Sequence, residues 1–340
     1  MILNPWVIGM YVGLLGMTVL YSYALTIGVQ IVRRWDVKSL EKSQLILEKK
    51  SYLASTIIQY GLGIQILSTI LFYMTLESLA EVIPGAMCAT GALKANAYGF
   101  PALFVKIAVA LVCAVWIAIH HVDTKLEDYG LTQCKYKWLF ALAPLLLCDL
   151  AMQFLYFLNL DPNVITSCCG VVFEIEGEGF GSSLASLPPE SLMVIFFISV
   201  PVLCSAGYFV SRRRTSLGWY LHSASGLILF VISILSIISF IAPYIYEMPS
   251  LHCPFNMMRR EYYHVGYIFY AFLFAAFFLS LIPGLMEFLK KKGNHIGKAV
   301  GELQEKAFKV SIVFWALFSV TASLPILLFV IRSEGGHLFA

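Results

Sequence analysis

The chain has 340 residues, 59% hydrophobic and only 13% charged, with a formal net charge of +3 and a mean hydropathy of +0.81. A soluble domain carries roughly 25% charged residues, so this composition excludes a set of ordinary soluble domains and makes lipid the solvent. No basic stripe interleaved with aromatics occurs, which argues against a nucleic-acid partner.

Eight apolar stretches follow in chain order: 6–32, 52–76, 100–119, 138–159, 192–210, 217–245, 265–289 and 310–331. Each has the roughly 20 residues needed to cross a ~30 Å hydrocarbon core. The first lacks a basic leader and is too long for a signal-peptide core, so it reads as a retained span. The predicted fold is all-α, a polytopic membrane helix bundle of about eight transmembrane helices. It divides into an N-terminal four-helix half over 1–160, an extracytoplasmic linker loop over 161–191 and a C-terminal four-helix half over 192–340. The linker carries four acidic residues between Glu174 and Glu190 and no Lys or Arg. No Walker A loop, dinucleotide fingerprint or H-E-x-x-H occurs.

Basic residues orient the chain. Segments 33–51, 120–137, 211–216 and 290–309 hold 18 of the 23 Lys and Arg. The positive-inside rule makes these segments cytoplasmic and sends both termini outside, which fits a bacterial inner (plasma) membrane protein. The basic runs before the second and eighth spans have helical charge spacing and read as headgroup-facing surfaces. The lipid bilayer is the first partner; other membrane subunits or a periplasmic thiol-redox partner are the remaining candidates.

Four of the eight cysteines, Cys88, Cys168, Cys169 and Cys253, then fall in outer loops. Cys113, Cys148 and Cys204 lie within spans and Cys134 in a cytoplasmic segment. Three uses fit the outer four. Disulfides can staple Cys88 and Cys253 to the adjacent Cys168–Cys169 pair. The same residues can act as a catalytic relay that exchanges disulfides. Adjacent thiolates also suit a soft metal such as Cu(I). A direct Cys168–Cys169 bond is disfavoured, because neighbouring α-carbons are ~3.8 Å apart and disulfides prefer about 4.4–6.8 Å. No C-x-x-C occurs, so the commonest redox and zinc spacings are missing.

Asp149 lies in mid-span, where an isolated carboxylate costs about 2.5–3.5 kcal/mol on insertion scales and calls for a partner. Lys106, at similar depth on the preceding antiparallel span, is the expected one, and Gln153 sits one helical turn from Asp149. This intramembrane set reads either as an ion pair locking two helices or as a proton or substrate path. His120 and His121 end the third span and His222 opens the sixth, which makes them candidate haem b ligands; helix-end histidines at the membrane interface are the simpler reading. The cofactor is not specified by any motif. Three functions follow: thiol-disulfide chemistry or a disulfide-stapled scaffold, a transporter or permease subunit built on Asp149 and Lys106, and a haem-bearing quinol-linked subunit.

Overall fold

The computed structural model describes residues 4–35, 41–126, 131–161, 163–166, 188–213, 215–290 and 297–339. The protein is all-α, 84% helix, with no strand among the described residues. Among the described residues, eight helices are long and apolar enough to cross a membrane. Closed backbone hydrogen bonding within each helix is what lipid demands, since hydrocarbon offers no partner to a bare N–H or C=O. The protein is a polytopic integral membrane protein.

The chain forms two compact units, Met1–Thr166 with His295–Ala299, and Ser167–Asn294 with Val300–Ala340. The first contains α1 (Pro5–Arg34), α2 (Lys42–Ala80), the short α3 (Ala89–Lys94), α4 (Gly99–Asp123) and α5 (Thr132–Leu158). Local chemistry starts α1 where it does: the Asn4 side chain accepts from the Trp6 N–H at 2.9 Å, and Pro5 occupies the first helical position. The long helices close a ring, α1 against α2, α2 against α4, α4 against α5 and α5 against α1. Tyr21, Ile58, Leu62, Val109, Trp116, Tyr136 and Leu139 fill the core. Segment 81–98 caps one end. It is tied to α5 by Tyr156, whose hydroxyl donates to the Ala92 carbonyl and whose own carbonyl accepts from Asn96, both at 2.8 Å.

The second unit contains α6 (Pro189–Arg213), α7 (Ser216–Ser236), a π-helical turn (Ile237–Ile241) that runs straight into α8 (Ala242–Tyr246), α9 (Val265–Lys290) and α10 (Gly297–Arg332) from Val300 onward. Thr215 caps α7, its hydroxyl accepting from the Gly218 N–H at 3.3 Å. Glycines bring α7 and α9 together. A Cβ at Gly226 would lie 2.5 Å from Ser280 Cβ, and one at Gly284 2.6 Å from Ser223 Oγ. Small residues let membrane helices approach backbone to backbone. The Ser223 hydroxyl uses that proximity, donating to the Ser280 carbonyl at 2.8 Å and accepting from the Gly284 N–H at 2.9 Å. Helix α10 is held instead by large side chains: Phe318 packs edge-on against Phe196 and Phe269, and Phe308 against Trp219.

From Lys42 and from Gly297 onward, the basic stretches expected before the second and eighth spans are continuous with the helices of those spans, α2 and α10.

Candidate functional site

In the first unit, four-helix packing brings polar side chains from three helices onto one carboxylate. Asp149 on α5 accepts at Oδ2 from Lys106 Nζ of α4 at 3.1 Å and from Gln65 Nε2 of α2 at 2.7 Å. Its Oδ1 accepts from Gln153 Nε2, one turn further along α5, at 2.7 Å. Lys106, Asp149 and Gln153 are fully buried and Gln65 is 2% exposed. The lysine neutralises the carboxylate, and two amides add donors to it. That arrangement meets the requirement for burying charges, a close partner plus hydrogen bonds to the remaining lone pairs.

The surroundings are less completely satisfied. Gln153 Oε1, Thr69 Oγ1 and the Tyr21 hydroxyl are buried with no hydrogen-bond partner among the described residues. Cys113 lies within electrostatic reach of Tyr21, Lys106 and Asp149. Gln65 also borders a cavity of about 110 Å³ between α1 and α5, walled by Leu14, Met17, Tyr21, Leu146 and Leu150 among others. The space is only partly enclosed, since the exposed Ser22 and Leu147 also line it. Sequence reasoning on Asp149 did not single out Gln65; the available signal was an amide in the middle of an otherwise apolar span.

A second buried ion pair closes the other end of the α4–α5 hairpin. Lys135 Nζ contacts Asp123 Oδ2 at 2.6 Å, and Asp123 also accepts from the Leu131 N–H at 3.1 Å and the Thr132 hydroxyl at 3.0 Å. The polarity is reversed relative to the first pair: here the acid is on α4 and the lysine on α5. Sequence reasoning placed both residues in a basic cytoplasmic segment and missed the pair. Its signature is the 3–4 spacing of Lys106, Val109, Cys113, Trp116, His120 and Asp123 along α4, all of them buried.

The histidines are built into separate cores. His120 stacks on Trp116 at 5.3 Å, with Nδ1 3.5 Å from Lys135 Nζ, while His121 is exposed. His222, in the second unit, packs edge-on against Phe308 at 4.8 Å, with Nε2 3.4 Å from Ser311 Oγ. His222 Nδ1 is buried with no hydrogen-bond partner among the described residues. No three His, Cys, Asp or Glu side chains converge as metal ligands among the described residues.

Of the four cysteines expected in outer loops, two are among the described residues. Cys88, at the start of α3, is 1% exposed, and Cys253 is fully buried. Cys168 and Cys169, and with them the expected links to Cys88 and Cys253, lie outside the described residues. Among the described cysteines no two are bonded. Burial at Cys88 and Cys253 opposes the easy access that an exchanging thiol needs.

The second unit holds one further buried acid that sequence reasoning missed. Glu287 accepts from Ser216 at 2.6 Å and from Gln304 at 2.9 Å, and Lys290 lies 3.7 Å away. No protein-family model, curated protein or solved structure matches this chain. The functional reading therefore rests on the chemistry of the polar sites.

Proposed function

We propose that the protein is a proton-linked membrane carrier, of the transporter or permease class, whose working site is the Lys106–Asp149 pair with Gln65 and Gln153. One observation carries the reading: a fully buried carboxylate is shared by three helices and neutralised by a single lysine. Intramembrane acids and bases mark ion and substrate pathways because their insertion cost is otherwise unrewarded. The chemistry of exchange is simple. When a proton neutralises Asp149, Lys106 is left as a lone ammonium in a low-dielectric interior, and a small anion restores neutrality beside it. Proton and anion are then taken up together and released together, with no net charge stranded at the site. The unpartnered Gln153 Oε1, Thr69 Oγ1 and Tyr21 hydroxyl are hydrogen-bonding groups to which a guest can bind.

The reading requires that Asp149 exchange its proton. In infrared difference spectra of the reconstituted protein, acidification in the presence of a permeant anion such as formate is expected to raise a protonated-carboxyl band. That band should shift in D2O and vanish in Asp149→Asn. If Asp149 contributes no such band over the pH range in which the protein stays folded, the pair is a static clamp and the carrier reading falls.

A further inference from the structure

The second unit carries a separate site in the segment between α8 and α9. Its origin is the π-helical turn. There the Ala242 N–H donates to the Ile237 carbonyl, five residues back. By the same register the Ile238 carbonyl would receive the N–H of residue 243, but that residue is Pro243, which has none. The orphaned carbonyl is served from outside the helix: His252 Nδ1 lies 3.0 Å from Ile238 O. A carbonyl can only accept, so Nδ1 carries the proton, and in the neutral tautomer that follows, the lone pair is at Nε2. That nitrogen is buried, on a residue 3% exposed, and has no hydrogen-bond partner among the described residues. Single π-turns occur frequently at functional sites.

A histidine whose Nδ1–H is held by a backbone carbonyl and whose Nε2 is bare has the arrangement typical of a metal ligand. What stands beside it in the chain is soft. Cys253 follows directly, and Met257 and Met258 come a few residues later; their exposures are 0%, 0% and 7%. The backbone of this run is clamped: Tyr246 donates to the Cys253 carbonyl at 2.6 Å and Tyr270 to the Pro254 carbonyl at 2.9 Å. Both methionines pack against Gly266 at the start of α9, where a Cβ would meet Met257 Cγ at 2.5 Å and Met258 Cγ at 2.6 Å. Asn256 Oδ1, 8% exposed as a residue, is a further buried acceptor without a partner among the described residues.

We propose that this segment binds a soft monovalent metal ion of the Cu(I) type through His252 Nε2 and the thioether sulfur of Met257 or Met258, with the Cys253 thiol as an additional sulfur. Imidazole and sulfur ligands select Cu(I) over hard cations. The absence of three converging His, Cys, Asp or Glu side chains among the described residues argues against a zinc-type cage. Cu(I) accepts low coordination and thioether ligands, so it tolerates what this segment offers. The site is independent of the Lys106–Asp149 reading.

The test uses the purified full chain with Cys168→Ser and Cys169→Ser, which removes the adjacent thiols as competing copper ligands. Cu(I) is supplied anaerobically against a chromophoric Cu(I) chelator, and retained metal is examined by X-ray absorption. A single equivalent bound by nitrogen and sulfur is expected. His252→Asn keeps a donor for the Ile238 carbonyl but deletes Nε2, and Met257→Leu with Met258→Leu preserves apolar volume. Each change should weaken retention at least about tenfold while leaving the helical content and melting temperature of the metal-free protein unchanged. Failure of the parent to retain copper against the chelator overturns the proposal. So does equal retention by the folded His252→Asn protein.

Discussion

The two units weight charge and close contact differently in packing their helices. In the first, helices α4 and α5 are joined by two buried ion pairs of reversed polarity, Lys106–Asp149 within the span and Lys135–Asp123 near their connection. In the second, α7 and α9 meet through Gly226, Gly284, Ser223 and Ser280, and α10 is held by Phe308, Trp315 and Phe318. Charges act at a distance and specify register: sliding α4 along α5 by one turn would separate both pairs. Small residues act by contact, and the hydrogen bonds they allow are neutral and short-ranged. A hairpin tied by charges is costly to break but chemically changeable, because one proton alters the balance. The glycine and serine seam itself has nothing to titrate, and the acid beside it, Glu287, is held by Ser216, Gln304 and a partly exposed Lys290. That contrast is why the working site is assigned to the first unit.

The largest effect should come from breaking a charge pair in the first unit. Asp149→Ala strands a buried ammonium and is expected to cost about 3–5 kcal/mol, whereas the double change with Lys106→Met should recover most of that loss. Thermal unfolding in detergent reads both. If the double variant equals the sum of the single changes, the pair is not what couples α4 to α5, and the contrast between the units collapses.

A smaller loss, about 1–3 kcal/mol, is expected for Gly226→Val, which drives a Cβ to within 2.5 Å of Ser280 Cβ and forces α7 from α9. The same measurement, extended with Ser280→Gly, sharpens the point: relief by the second change identifies steric contact as the determinant of this seam. Smallest is Ser223→Ala. It removes the hydroxyl between the Ser280 carbonyl and the Gly284 N–H and should cost about 0.5–1.5 kcal/mol. A loss as large as that of Asp149→Ala would mean that this neutral hydrogen-bonded seam is as costly to break as a buried ion pair.

What composition and hydrophobic run length determine is the class of structure. Eight stretches long enough to cross hydrocarbon become eight helices, because a chain in lipid has no other partner for its backbone and run length is a local property. Depth is also local, which is why Lys106 was legible as a partner for Asp149 from its distance to the span end. What the sequence leaves open is azimuth, the side of each helix that faces its neighbours. Gln65 on α2 joins Asp149 only because α2 packs on α4 within the closed ring. Asp123 and Lys135 are charged residues at helix ends, where solvation is the ordinary outcome, and only the tight α4–α5 hairpin buries them. The role of His252 depends on a π-turn that changes which carbonyl Pro243 fails to serve. A one-residue shift in hydrogen-bond register leaves no mark in composition or periodicity; packing around α7 and α8 decides it.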